Sequence, residues 1–189
     1  MVQISKAKQI EEELSRQTLM RAILSNCLIR QDGVFYMTSG EARQIYFDLK
    51  QITLSPKFIP IIVQELLRIL IKKQIPIMEI RSVGGIETGS IPLVSQLSTS
   101  IGVRGFYVRK EEKKHALRNI IEGECIEPYI LVDDVVTTGY SMNLCQSILQ
   151  DKGFKPARAK LCIVDRRSTV YEDRNDIKTI FTEDELTTI

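Results

Sequence analysis

A single histidine, His115, and four scattered cysteines with no C-x-x-C pair leave this sequence without the ligand spacing of a structural zinc site. Cys27, Cys125, Cys145 and Cys162 therefore read as reduced core or strand residues of a cytoplasmic protein. An excess of one charge sign is missing too. Twenty-six basic against 24 acidic residues leave a net charge of +2, which argues against a broad, sequence-independent nucleic-acid surface. Long apolar runs are also absent. The most apolar stretch, Phe58 to Ile77, is interrupted by Gln64, Glu65, Arg68, Lys72 and Lys73, so no membrane span is expected. The first residues, M-V-Q-I-S-K-A-K-Q-I-E-E-E-L, are charged and helical in pattern rather than a signal peptide. No internal repeat or low-complexity tract occurs. What is present is 189 residues with 43% apolar content, enough for one globular domain with a sizeable core, and open to small anionic substrates.

The most informative stretch runs from Tyr129 to Ser141, Y-I-L-V-D-D-V-V-T-T-G-Y-S. Its apolar start suits a strand buried on both faces of a parallel sheet, ending at the paired carboxylates Asp133 and Asp134. A loop of Thr137, Thr138, Gly139, Tyr140 and Ser141 then leads into an apolar-periodic helix over 142–149. Clustered backbone N–H groups, hydroxyls and the positive end of a helix dipole suit a phosphate dianion there. Adjacent carboxylates accept hydrogen bonds from the vicinal diol of the ribose that such a phosphate would carry. The alternative is a plain βα turn in which Asp134 caps nearby amides and Ser141 caps the helix.

This stretch resembles the phosphoribosyl-pyrophosphate (PRPP) signature of type I phosphoribosyltransferases, hydrophobic residues followed by D-D and T-T-G-x-S/T. The resemblance implies that Asp133, Asp134, Val136, Thr137, Thr138, Gly139, Tyr140 and Ser141 contact PRPP. A second strand, glycine-hydroxyl loop and helix start is expected at 75–92, with the strand over Ile75 to Val83 feeding Gly84-Gly85-Ile86-Glu87-Thr88-Gly89-Ser90. By the same resemblance Glu87, Thr88 and Gly89 form the pyrophosphate loop.

Other segments are similar to orotate phosphoribosyltransferases in particular. Phe35, Met37, Ser39, Gly40, Tyr46, Asp48 and Lys50 fall on the opening F-x-L-x-S-G and Y-x-D-x-K/R patterns, in two strands joined at a Ser-Gly turn. After a strand over Val103 to Val108 comes R-K-E-E-K-K-H, which resembles that family's catalytic lid R-K-E-x-K-x-H. The resemblance makes Arg109, Lys110, Lys113 and His115 catalytic, with Asp133 and Asp134. Ala116-Leu117-Arg118-Asn119 follows where the family has glycines. Near the end, Val164-Asp165-Arg166 matches V-D-R-x-E-G, implying that Arg166 faces the orotate carboxylate, although Ser168 and Thr169 depart from the motif.

The remaining periodicity predicts one or two N-terminal helices over about 5–29, an amphipathic helix from Ser55-Pro56 to about Lys73, a turn at Gly123, a helix stop at Gly153, a strand over Ala157 to Asp165, and a closing strand and short helix over 177–186. The expected fold is α/β, an open parallel sheet flanked by helices, Rossmann-like, with a small hood from about 1–50 and the C-terminal end. The resemblance implies an orotate phosphoribosyltransferase that uses Mg²⁺ without an all-protein metal cage, and whose partners are PRPP, orotate and pyrophosphate. It further implies a homodimer with the lid acting in trans. Another base, or a non-catalytic PRPP sensor, stays open: Arg43 and Ile45 replace the family's common serine and tyrosine.

Overall fold

The computed structural model describes residues 2–36, 42–110, 120–167 and 176–188. They fall into two compact units, 1–65 and 66–189. In the first unit, α1 (Val2–Ala22) ends in a single π turn, Ile23–Cys27, and the chain passes into an antiparallel hairpin of β1 (Leu28–Tyr36) and β2 (Ala42–Phe47). The short α2 (Lys50–Thr53) follows. Buried Leu19, Ile23, Cys27, Phe47, Leu49 and Ile52 are the apolar residues of these elements. The hairpin expected from the sequence is present. Its Met37, Ser39 and Gly40 lie outside the described residues.

Helix α3 (Ile59–Lys72) begins three residues later than a Ser55 cap with Pro56 as first helical residue implies. The Ser55 carbonyl instead accepts the Phe58 and Ile59 amides in a turn that precedes the helix.

The second unit holds a six-stranded sheet of order β5-β4-β3-β6-β7-β8. Its strands are β3 (Ser82–Ile86), β4 (Arg104–Val108), β5 (Ile121–Gly123), β6 (Tyr129–Val136), β7 (Ala159–Asp165) and β8 (Ile177–Thr182). All pairings are parallel except that of the edge strand β5 with β4. Helices α4 (Ile91–Ile101) and α5 (Tyr140–Asp151) make the crossovers after β3 and β6, and α6 (Glu183–Thr187) closes the chain. Thr182 and Glu185 cap α6 reciprocally in a capping box, which explains its sharp start. Gly153 takes φ +89° just past α5 and ends that helix as its sequence suggests.

Two expectations need correction. Residues 75–81 are not a strand: Ile77–Glu79 form one 3-10 turn, and β3 starts at Ser82, so Gly84 and Gly85 lie inside the strand rather than in a loop. Their missing side chains make room for neighbours, since a Cβ on Gly84 would run into the Phe106 ring and one on Gly85 into Ser90 and the Val132 carbonyl. Likewise β6 does not stop at the acidic pair but continues through it to Val136, held by pairs to β7 at Asp133↔Cys162, Val135↔Val164 and Val136↔Asp165.

One apolar cluster lies at the heart of the sheet. Phe106 and Tyr129 meet edge to face at 5.8 Å, surrounded by Leu131, Val136, Met142, Cys145, Leu149 and Cys162. All four cysteines are free thiols, and burial pushes Cys145 up to about 12, far from reactive thiolate at neutral pH. Among the described residues no helix is long and apolar enough to cross a membrane.

Candidate active site

The sheet splits where a ligand needs room. Strands β3 and β6 pair only over Ser82↔Tyr129, Val83↔Ile130 and Gly84↔Leu131. Beyond that point β3 stays with β4 to Ile86, and β6 stays with β7 to Val136. The chain leaves β3 toward one side of the sheet and β6 toward the other, so the crevice lies at the topological switch point, outside the C-terminal ends of parallel strands.

Two helix N-termini open at this place. Gly139, φ +80°, is the N-cap residue of α5 and brings no side chain of its own to cap that helix. Ser141, the cap of the plain-turn alternative, is not in that position; Thr138 Oγ1 instead accepts the Tyr140 amide at 3.2 Å. Ser90 is the N-cap residue of α4, also without a side-chain cap, because its hydroxyl donates back to the Ile86 carbonyl at 2.6 Å. Two helix N-termini on one crevice, neither capped by its own N-cap side chain, offer amide donors and positive dipole ends to two separate anions.

Between them stand the carboxylates. Strand alternation sends Asp133 and Asp134 to opposite faces of β6. Asp133 is 7% exposed, and its Oδ1 accepts the Asp134 amide at 3.0 Å. Burial, and after it the charge of Asp134, pushes the Asp133 carboxyl well above the ordinary aspartate range. Asp134 is half-buried, with Oδ1 accepting the Val135 amide at 2.8 Å. It packs so closely on the second loop that a Cβ on Gly89 would lie 2.5 Å from Oδ1 and 2.6 Å from Oδ2. That contact joins the acidic pair to the Glu87-Thr88-Gly89 loop, whose Glu87–Thr88 peptide is cis. Val136 belongs to the core at 3% exposure rather than to the crevice, and its carbonyl accepts the Arg166 amide at 2.7 Å.

The exit of β4 reaches the same rim. The Arg109 guanidinium stacks over Tyr107 at 5.5 Å and donates to Glu122 at 2.8 and 3.0 Å and to Glu87 at 3.4 Å. The Lys110 amide donates to Glu87 at 3.0 Å. Lys113 and His115 lie outside the described residues. Arg166 follows β7 with its side chain 1% exposed, and Nη2 and Nε donate to Glu183 of α6 at 2.6 and 3.0 Å. The next residue, Arg167, is held by Asp165 and Asp176. The sequence reading missed Glu122, Glu183 and Asp176. Only the antiparallel register Tyr107↔Glu122 brings the first of them to Arg109, and nothing local marks the others.

Among the described residues no three His, Cys, Asp or Glu gather to hold a metal. The strand ends instead bring two helix N-termini and the half-buried Asp134 carboxylate to one end of the sheet, with Gly89 packed against that carboxylate. This fold is that of the type I phosphoribosyltransferases.

No family model matches the chain. It is 34% identical over 139 residues to the orotate phosphoribosyltransferase of Leptospira biflexa, covering 70% of this chain and 74% of that one. It is 30% identical over 163 residues to the Pyrococcus abyssi enzyme of the same name, covering 84% and 85%. The fold matches Mycobacterium tuberculosis orotate phosphoribosyltransferase in complex with PRPP at a TM-score of 0.69 and 21% identity, over 91% of this chain and 98% of that one. The chain belongs to the orotate phosphoribosyltransferase family.

Proposed function

We propose that the protein transfers the 5-phosphoribosyl group of PRPP to orotate, releasing pyrophosphate and forming orotidine 5-phosphate for pyrimidine nucleotide synthesis. The observation that supports this reading most is the pair of helix N-termini, neither capped by its own N-cap side chain, with Asp134 against the loop before α4. The α5 end, with Thr137, Thr138, Gly139, Tyr140 and Ser141, takes the 5-phosphate, and Asp134 accepts the ribose hydroxyls. Asp133 fixes the Asp134 backbone from behind. Thr88 and Gly89 take the pyrophosphate at the α4 end. Arg166 recognises the orotate carboxylate, since a planar guanidinium matches it with two parallel hydrogen bonds.

In the reaction the bond from the anomeric carbon to pyrophosphate breaks, its electrons leave with pyrophosphate, and a ring nitrogen of orotate bonds to the carbon. An oxocarbenium-like transition state needs charge stabilisation on the departing oxygens and exclusion of water. Arg109, Lys110, Lys113 and His115 supply positive charge beside the leaving group. Asp134, an oxygen donor, would help hold a Mg²⁺ ion together with substrate and water oxygens, and such an ion would supply further charge stabilisation to the leaving group. We place the enzyme in the cytoplasm as a homodimer, with the lid of one protomer completing the site of its partner. The retained charges from Arg109 to His115 support an enzyme over a PRPP sensor, which has no leaving group to stabilise.

The test is a panel of bases with PRPP and Mg²⁺, read as pyrophosphate release. Turnover with orotate and none with adenine or hypoxanthine is expected. Turnover with a purine and none with orotate would overturn the assignment.

A further inference from the structure

Glu87 stands in the pyrophosphate loop, yet its charge has the wrong sign to greet a pyrophosphate. A carboxylate set beside a phosphate repels it and disfavours its binding. The side chain has other work. Its Oε1 accepts the Lys110 amide at 3.0 Å, and its Oε2 accepts from the Arg109 guanidinium at 3.4 Å. Its own amide donates to the Val108 carbonyl at 2.9 Å. Three hydrogen bonds from one residue thus reach three consecutive residues at the exit of β4. Arg109 is fixed from its other side by Glu122 and by the Tyr107 ring, so the exit is held at both edges. Two residues beyond Glu87, Gly89 presses on Asp134.

We propose that Glu87 is a positioning residue, whose carboxylate brackets the Lys110 backbone and the Arg109 guanidinium to the pyrophosphate loop without touching substrate. The bracket sets where two cations leave the sheet relative to Gly89 and Asp134. Loss of the bracket shifts those cations, and a misplacement of this kind acts on the transition state more than on ground-state binding. The proposal rests on the phosphoribosyl-transfer reading for its kinetic part only.

The experiment compares Glu87→Ala and Glu87→Gln with the native protein by Lys110 amide hydrogen exchange, PRPP affinity and turnover. In Glu87→Ala the Lys110 amide, deprived of its acceptor, exchanges at least about tenfold faster in the ligand-free protein. Its kcat falls roughly tenfold to a hundredfold, while the PRPP Kd measured with Mg²⁺ stays within about twofold. The glutamine amide oxygen still accepts from Lys110, so Glu87→Gln brings exchange to within about threefold of native and recovers most of kcat. A weakened PRPP Kd, or a raised Mg²⁺ requirement, with unchanged kcat would make Glu87 a ligand contact and overturn the proposal. Unchanged Lys110 exchange in Glu87→Ala would overturn it too. The exchange measurement needs no substrate, so it separates failure of the bracket from failure of the assigned reaction, which native turnover with orotate tests.

Discussion

Adding one methyl group at Gly89 probes the contact on which the site geometry depends. Its new Cβ would sit 2.5 Å from Asp134 Oδ1, 2.6 Å from Oδ2 and 2.7 Å from Cγ, nearly an ångström inside van der Waals contact. The loop cannot readily retreat. Glu87 N–H is bonded to Val108 on one side, and the buried Ser90 hydroxyl to Ile86 on the other. Asp134 must move instead, and moving it strains or breaks the Oδ1 bond to the Val135 amide. Overpacking of this kind costs about 1–3 kcal/mol. If the displaced carboxylate is the one that holds the ribose, the same range appears as a loss of roughly tenfold to a hundredfold in kcat/KM for PRPP. Gly153→Ala is the control. Its φ of +89° makes alanine strained, but nothing lies within 4 Å of the added carbon, and it sits past the far end of α5. It should lose about 1–2 kcal/mol of stability with kcat/KM unchanged. Steady-state kinetics and thermal melts on both variants decide the matter. Native kcat/KM in Gly89→Ala would remove Asp134 from the ribose.

Asp133 has a raised pKa in the folded protein, so the stability of its protonated form is present at low pH and is lost as pH rises through the folded value. Asp133→Asn, which keeps an oxygen for the Asp134 amide and cannot ionise, should melt higher than the native protein at about pH 8, with a smaller gap at about pH 5; a gap independent of pH would refute the buried charge. Arg166→Ala should raise the orotate KM roughly tenfold to a hundredfold. Glu183→Gln should lower stability by about 3 kcal/mol in denaturant unfolding, because it leaves the Arg166 charge buried without its carboxylate. If lid residues act across a dimer, mixing inactive Lys113→Ala with the inactive double variant Asp133→Asn, Asp134→Asn should restore turnover. A hybrid dimer confirmed by mass and lacking activity would reject that arrangement.

The parts of the fold that were legible are those governed by neighbours in sequence. Tyr129 to Ser141 announced itself because an apolar run, a paired acid and a hydroxyl-glycine loop each carry a local physical preference. Gly153, read as a helix stop, belongs to the same kind. What escaped was decided by tertiary packing. Ile75 to Ile80 has strand composition and forms a turn, whereas Gly84 and Gly85 have loop composition and form a strand. The Phe106 ring, 22 residues away from Gly84, and Ser90 fill the space that side chains there would need, so the glycines are favoured in the strand by what lies across from them.

The same division runs through the site. That Asp133 and Asp134 sit together was readable; that they differ in environment was not, because it follows from β6 continuing to Val136 and pairing with β7 on the way. Once the strand extends past both residues, alternation puts one carboxylate in the core and leaves the other beside Gly89. The pair is thus asymmetric before any ligand arrives, with Asp133 holding the backbone and Asp134 facing the crevice. Charge patterning tells a similar story. A run of cations after β4 suggested a lid, but its first member is already committed to Glu122 and Glu87, residues 13 and 22 positions away. Composition counts such charges without revealing which are held in place by distant carboxylates, as Arg109 is.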